Sequence, residues 1–239
     1  MRIFSELSRR LRLRGLSRTA RAVLRDRLTY LAPAKMRRLE AELGRVRRND
    51  VPGDLLEFGV ALGGSAILIA GHADEGRRFH GFDVFDMIPP PTSDKDDERS
   101  KARYETIASG RSKGIAGDEY YGYRENLFEE VKASFARYGV PVNGGAVQLH
   151  KGLFEETWPK LDIRTVAFAH VDCDWYDPVR FCLDEVADRL SPGGAVLIDD
   201  YHDYGGCREA VNEFLARRSD FALEPGPNPI LRKRPQRKA

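Results

Sequence analysis

The sequence predicts an α/β fold: a doubly wound, mostly parallel sheet with helices on both faces and a helical extension at its N-terminus. Three observations predict it. Short apolar segments alternate with amphipathic ones from Pro52-Gly53 onward, which is the rhythm of βαβ units. The apolar segments, Thr165–Val171 above all, are continuous and β-branched rather than alternately apolar and polar, as strands buried on both faces are. Glycines or acids stand at the ends of these segments, and the carboxyl ends of the strands are where such folds bind ligands. Right-handed crossovers then wind the sheet to both sides.

The elements follow in order. Ile3, Phe4, Leu7 and Leu11, then Ala20, Val23 and Leu24, fall near helical spacing among arginines and are interrupted near Gly15. This predicts a basic amphipathic arm. It is read as packing on the body or on a second copy in a homo-oligomer, as a peripheral contact with an anionic membrane surface, or as an organelle leader. A helix is expected over 34–48, with Met36, Leu39 and Leu43 on one face. Leu55–Phe58 is a strand, followed by a glycine turn and an apolar helix over 66–70. Phe79–Asp83 is a second strand, 123–138 a helix, 146–150 a third strand and 165–171 a fourth. A helix over 178–190, a strand over 195–198, a helix over 207–217 and weak strands near Phe221 and Ile230 complete the chain. Residues 86–119 break the rhythm and are rich in Pro, Asp, Lys and Gly. A loop of that length leaving the carboxyl edge of a strand is expected to form part of the substrate site or a lid. With 239 residues, the chain divides into a basic arm (1–50) and one domain (51–239) carrying that insertion.

Composition narrows the function. The net charge of +2 is unevenly spread: residues 1–27 contribute +7 and residues 232–239 contribute +5, leaving −10 between them. An acidic body suits a domain that holds a metal ion and argues against nucleic acid as a substrate. Cys173, Cys182 and Cys207 show no C-x-x-C spacing, which points to reduced thiols in a cytoplasmic protein. No apolar run reaches the roughly 18 residues of a membrane span.

Three constellations carry chemistry. The first is Glu57-Phe58-Gly59-Val60-Ala61-Leu62-Gly63-Gly64-Ser65, a strand ending near an acid and turning through glycines into a helix. Glycine there lets the backbone approach a ligand closely. The pattern is not the G-x-G-x-x-G of a dinucleotide site, which counts against a nicotinamide-dependent oxidoreductase. A carboxylate at the turn repels pyrophosphate and suits a ligand bearing an ammonium and a sulfonium, such as S-adenosyl-L-methionine. The second is Asp83, ending the second strand where a carboxylate can accept hydrogen bonds from ribose hydroxyls. The third is Asp172 and Asp174 after the fourth strand, with Asp199 and Asp200 after the fifth. If these strands are neighbours, the acids converge and repel one another, and a hard divalent cation such as Mg²⁺ resolves the repulsion.

With these residues in view, the sequence resembles the macrocin O-methyltransferase family, the TylF/MycF group, which methylates sugar hydroxyls of macrolide antibiotics. The resemblance runs from about Thr29 to Phe214. It rests on Gly53-Asp54-Leu55-Leu56-Glu57 with Gly59 and Gly63-Gly64, Asp83-Val84-Phe85 with Pro89, and Lys151-Gly152-Leu153-Phe154 with Thr157 and Pro159. It continues through Val171-Asp172-Cys173-Asp174-Trp175-Tyr176, Leu190-Ser191-Pro192-Gly193-Gly194, Asp199-Asp200-Tyr201 and Cys207-Arg208-Glu209-Ala210-Val211. It implies a class I methyltransferase fold, Rossmann-like with seven strands, S-adenosyl-L-methionine as donor and Mg²⁺ as metal. It places the metal on Asp172, Asp199 and Asp200, the donor near Glu57, Gly59, Ser65, Asp83 and Phe154, and Thr29 and Tyr30 near the ligands. Gly63 completes the glycine turn. Two departures stand out: Val84 stands where the family has a serine, so one ribose-side hydroxyl is lost, and the insertion after it, through Gly117-Asp118-Glu119-Tyr120-Tyr121-Gly122-Tyr123, differs from the macrolide enzymes, which bears on the acceptor.

The expected acceptor is a small molecule with vicinal hydroxyls, such as a sugar diol, since a cation gripping two oxygens would both aim and acidify the attacking one. A catechol is the alternative. A non-catalytic interaction protein is a further reading, against which the intact acid set counts. His202, Asp174 and Tyr120, with Tyr121, are the candidates for the general base, and His170 is expected to pack in or beside its strand.

Overall fold

The computed structural model describes residues 13–234. The expected helical spacing of Ile3, Phe4, Leu7 and Leu11, and the C-terminal Arg237 and Lys238, lie outside them. Two helices come first, α1 (Arg18–Arg25) and α2 (Pro33–Arg48). Strand β1 (Asp54–Phe58) leads to α3 (Gly64–Ala70) and β2 (Phe79–Asp83). Helices α4 (Glu98–Ala108) and α5 (Leu127–Arg137) precede β3 (Val147–Lys151), and the single turn α6 (Phe154–Thr157) precedes β4 (Val166–Val171). Helix α7 (Tyr176–Ala187), β5 (Leu190–Ile198), α8 (Gly205–Arg217), β6 (Phe221–Glu224) and β7 (Ile230–Lys233) close the chain.

The strands form one seven-stranded sheet in the order β3-β2-β1-β4-β5-β7-β6. Strands β1 to β5 pair in parallel, and β7 runs antiparallel to both β5 and β6. The order reverses between β1 and β4, the switch point at which such sheets open a ligand crevice. Alternation along each strand sends its residues to two cores. Leu55, Phe79, Phe168 and Leu197 join α1, α2, α3 and α5 on one face. Leu56, Phe58, Phe82, Val171 and Ile198 join α7 and α8 on the other. Met36, Leu39, Leu43 and Val46 of α2 are fully covered, as are Ala20 and Val23 of α1, so the helices before residue 50 share the core of the strands after it.

Local chemistry sets the boundaries. Ser17 Oγ accepts the Ala20 amide at 3.0 Å and starts α1, and Pro33 occupies the first turn of α2, where its missing N–H costs nothing. Strand β5 starts at Leu190, earlier than expected, and carries Ser191-Pro192-Gly193-Gly194 within it. Helix α5 begins at Leu127 after a short turn at Tyr121–Tyr123.

The insertion corrects the expectation of an irregular loop, because it contains α4. Asp97 caps that helix by accepting the Ser100 amide at 2.9 Å. Its neighbour Asp96 accepts the Tyr176 amide at the start of α7 at 2.9 Å, and Trp175 Nε1 donates to the Pro89 carbonyl at 3.0 Å. Lys95 pairs with Glu213 of α8. The three cysteines are free and buried. No helix among the described residues is long and apolar enough to cross a membrane.

Candidate active site

At the centre of the sheet, Phe58, Val171 and Ile198 are level on β1, β4 and β5. The Asp172 amide donates to the Phe58 carbonyl and the Asp199 amide to the Val171 carbonyl, each at 2.9 Å. The two aspartates therefore emerge side by side at the carboxyl edge, as the sequence spacing requires of neighbouring strands. They open on a cavity of about 690 Å³, which Gly59, Ala61, Asp83, Phe154, Asp174, Asp200 and Tyr30 also line.

Five carboxyl groups crowd its floor. Two sets of three have oxygens within 4.8 Å of one another: Asp172 with Asp174 and Asp200, and Asp199 with Asp200 and Asp203. The expected triplet of Asp172, Asp199 and Asp200 is spread over both sets and joined by Asp200. A lysine explains the split. Lys35 Nζ of α2 donates to Asp199 Oδ2 and to Asp203 Oδ2, each at 2.8 Å, drawing the Asp199 carboxylate toward Asp203. Burial alone would lower the Lys35 pKa, and the two aspartates more than reverse that. Burial and mutual repulsion push Asp172 and Asp200 well above the usual carboxylate range. Asp174 rises to about 7, burial outweighing the nearby charge of Arg103. Asp199 goes the other way, held low by His170 and Lys35 against burial.

His170 is the residue that sequence reasoning undervalued. It pairs across the sheet with Glu57, and its Nδ1 lies 2.7 Å from Glu57 Oε1 with both side chains fully buried. Its Nε2 lies 3.8 Å from Asp199 Oδ1. Although burial opposes the charged ring, Asp199 and Glu57 raise its pKa to about 10, so an imidazolium joins the two carboxylates. The signal was available, since Glu57 and His170 are both penultimate residues of adjacent strands. Asn228, wholly buried before β7, donates to the Lys35 carbonyl at 3.3 Å and approaches Asp199 Oδ1 at 3.5 Å. Nothing local in the sequence marked it.

The remaining expected residues divide. Asp83 lines the cavity, and both its oxygens already accept amides, Val60 at 2.7 Å, Ala61 at 2.9 Å and Phe85 at 2.6 Å. It clamps the turns after β1 and β2 together and keeps lone pairs for a ligand. Phe154 lines the cavity and packs edge-on against Phe58 at 5.4 Å. Gly59 lines it too, but its physical requirement is backbone crowding: a Cβ there would lie 1.8 Å from the Asp172 carbonyl oxygen. Glu57, Gly63 and Ser65 stand behind the cavity wall and are not among its lining residues. Gly63 caps α3 in the left-handed region. Ser65 helps hold down the pKa of Glu57, which burial raises. Tyr30 lines the cavity against Tyr121, ring centroids 6.0 Å apart. Thr29 is buried beside Gly64 instead.

Of the candidate bases, Asp174 faces the cavity. Tyr120 and Tyr121 line it as well, and burial raises both hydroxyls. His202 does not join them: it is exposed, and its Nε2 donates to the Gly226 carbonyl at 3.0 Å. Strain gathers at the same edge. Ala61, Phe85 and Asp174, which follow β1, β2 and β4, all hold positive φ, at 47°, 48° and 60°. For residues with side chains this costs energy and clusters at functional sites.

A seven-stranded, mostly parallel sheet with this strand order is the arrangement of class I methyltransferases. The sequence profile of the family described as Macrocin-O-methyltransferase (TylF) matches residues 11–221. This chain belongs to the TylF family. Among curated TylF-like proteins, it is 32% identical over 176 residues to the 8-demethyl-8-(2,3-dimethoxy-alpha-L-rhamnosyl)-tetracenomycin-C 4'-O-methyltransferase of Streptomyces olivaceus, covering 72% of this chain and 61% of that protein. It is 31% identical over 179 residues to the demethyldecarbamoylnovobiocin O-methyltransferase of Streptomyces niveus, covering 71% and 60%. The TylF-family chain thus spans about three fifths of the length of these two relatives. Among solved structures, the O-methyltransferase NovP superposes with a TM-score of 0.70 at 25% identity, covering 97% of this chain and 100% of that one.

Proposed function

We propose that this chain transfers a methyl group from S-adenosyl-L-methionine to a hydroxyl of a sugar or glycosylated natural product, with Mg²⁺ or a similar cation held at the acidic floor. One observation carries the reading. The acids after β4 and β5 open on the same cavity as Gly59, Asp83 and Phe154, so a metal-held hydroxyl and a nucleoside donor would share one space. The names of the relatives support a natural-product acceptor that carries a sugar: one acts on a rhamnosyl-tetracenomycin and another on demethyldecarbamoylnovobiocin. The cationic donor suits the wall formed by the strand tips, with the Asp83 carboxylate free to accept further hydrogen bonds.

The donor set fits a hard cation. Asp172, Asp199 and Asp200 offer carboxylate oxygens only, crowded and mostly buried, which is the chemistry of Mg²⁺ sites rather than zinc sites. When bound there, a divalent cation supplies the positive charge that orients and acidifies an acceptor hydroxyl. The protein's own groups do the rest. His170, fixed by Glu57, aims the Asp199 carboxylate, and Lys35 balances its charge. Asp174 takes the hydroxyl proton as the new C–O bond forms and the S–C bond breaks. It faces the cavity beside the floor acids, and among the described residues no lysine or arginine lies within ion-pair distance of it; a carboxylate so placed can serve as a base. His202 points away, and Tyr120 and Tyr121 hold their protons too tightly.

The test is a methyl-transfer assay over glycosides and catechols, with Mg²⁺ or with chelator, repeated on Asp200→Ala. Transfer to glycosides, lost in chelator and in the variant, is the expected result. Full activity in chelator sinks the metal, and transfer to catechols alone sinks the sugar acceptor.

A further inference from the structure

The cavity wall supplied by the insertion is basic. Arg99 and Arg103 sit four residues apart on α4 and so project to one side, and both line the cavity. The ion pair within α4 is made by Lys101 with Glu98 instead, and among the described residues neither arginine has a carboxylate within ion-pair distance. Each guanidinium lies over a tyrosine that also lines the cavity: Arg99 Cζ is 5.9 Å from the Tyr204 ring centre, and Arg103 Cζ is 5.6 Å from that of Tyr120. The tyrosines hold the planar groups on the wall without neutralising them. Asp96 and Asp97 bind this wall to the starts of α7 and α8, so the arginines are carried by a fixed element.

These charges have a consequence for the acceptor. Among the described residues no acid of the floor lies within ion-pair distance of either arginine, although Arg103 is near enough to act on Asp174, and the proposed cation would satisfy those acids. Two guanidinium groups then face the cavity with no ion-pair partner among the described residues. A neutral sugar covering them would strip their water and accept hydrogen bonds without neutralising either charge, which disfavours it relative to an anion. An oxyanion would be met by two planar forks suited to bidentate binding. The insertion that carries the arginines is also where the sequence departs from the macrolide enzymes. Building on the methyltransferase reading, we propose that Arg99 and Arg103 bind an oxyanion on the acceptor, so that the acceptor is a phosphorylated, nucleotide-linked or carboxylated sugar rather than a neutral glycoside.

The experiment uses the full chain saturated with S-adenosylhomocysteine in Mg²⁺, titrated by calorimetry with uridine diphosphate, methyl glucuronide and neutral methyl glucoside. Wild type is compared with Arg99→Gln, Arg103→Lys and the Arg99→Gln/Arg103→Gln pair. The expected result is that at least one anion binds wild type more tightly than the neutral sugar does, and that the double variant weakens it by roughly tenfold or more. A response to uridine diphosphate alone assigns a phosphate, and a response to the glucuronide alone a carboxylate. Arg103→Lys keeps the charge and retains part of the affinity, which separates this loss from misfolding. Absence of anion binding, or an anion affinity within about twofold in the double variant, overturns the inference. Since binding needs no turnover, the two readings fail separately. Arginine-dependent anion binding in a protein that methylates nothing removes the methyltransferase, whereas methylation of neutral glycosides untouched by the arginine variants removes the anion site.

Discussion

At the scale of single residues, the site depends on charges that are buried and answered in series. Glu57, His170 and Asp199 run from the sheet interior to the floor, and removing the middle member leaves two carboxylates facing each other in a low dielectric. His170→Phe should therefore cost about 3–5 kcal/mol, read as a lower urea midpoint; a variant unfolding with wild type would show that the ring is not charged. Asp174 offers a cleaner functional test, because its φ of 60° is one that asparagine also tolerates. Asp174→Asn should keep the fold and donor affinity while kcat falls by about 10²-fold or more. Unchanged turnover would remove Asp174 as the base. The acids themselves were legible in the sequence because they follow continuous apolar strands. The turned-away His202 was not, since proximity in sequence to Asp200 says nothing about the direction of a side chain on the turn Asp200–His202.

At the scale of elements, the strands were readable because each is a short β-branched run buried on both faces. What escaped was held by specific polar contacts instead of apolar pattern. Helix α4 buries only Ser100 and Ile107, too little for a periodic stripe, and is fixed by its Asp97 cap and by Asp96. Strand β5 extends back to Leu190 through Pro192 and two glycines, which read as a turn when seen alone. The same polar contacts yield a prediction. Gly206, in the first turn of α8, lies against Asp96, and a Cβ there would lie 1.9 Å from Asp96 Oδ1. Gly206→Ala should displace Asp96 from the Tyr176 amide and cost about 1–3 kcal/mol. Amide exchange should rise across residues 86–119 while the strands stay protected. Equal protection of that segment in both proteins would mean that other contacts suffice to hold it.

At the scale of the whole molecule, the charges of the fold titrate in opposite directions, and stability across pH is their sum. Asp172 and Asp200 of the floor have raised pKa values when folded, so protonation favours their folded form as pH falls. His150 on β3 pulls the other way. It stacks on Phe82 at 4.8 Å and on His80 at 5.3 Å, and burial first, then His80, push its pKa down from 6.5 to about 4. Above pH 6.5 both states leave it neutral and it adds no slope. Between 6.5 and about 4 the unfolded chain binds a proton that the folded chain refuses, so stability falls as pH falls. Below about 4 both states carry the proton and the slope ends. His150→Phe keeps a ring against Phe82 and cannot be charged, so the difference between it and wild type isolates this residue from the acids. Thermal unfolding followed from pH 8 to pH 4.5 should show the Tm of the variant gaining on that of wild type as pH drops through 6.5. Parallel Tm curves over that interval would mean that the imidazole takes up its proton in the folded protein as readily as in the unfolded chain.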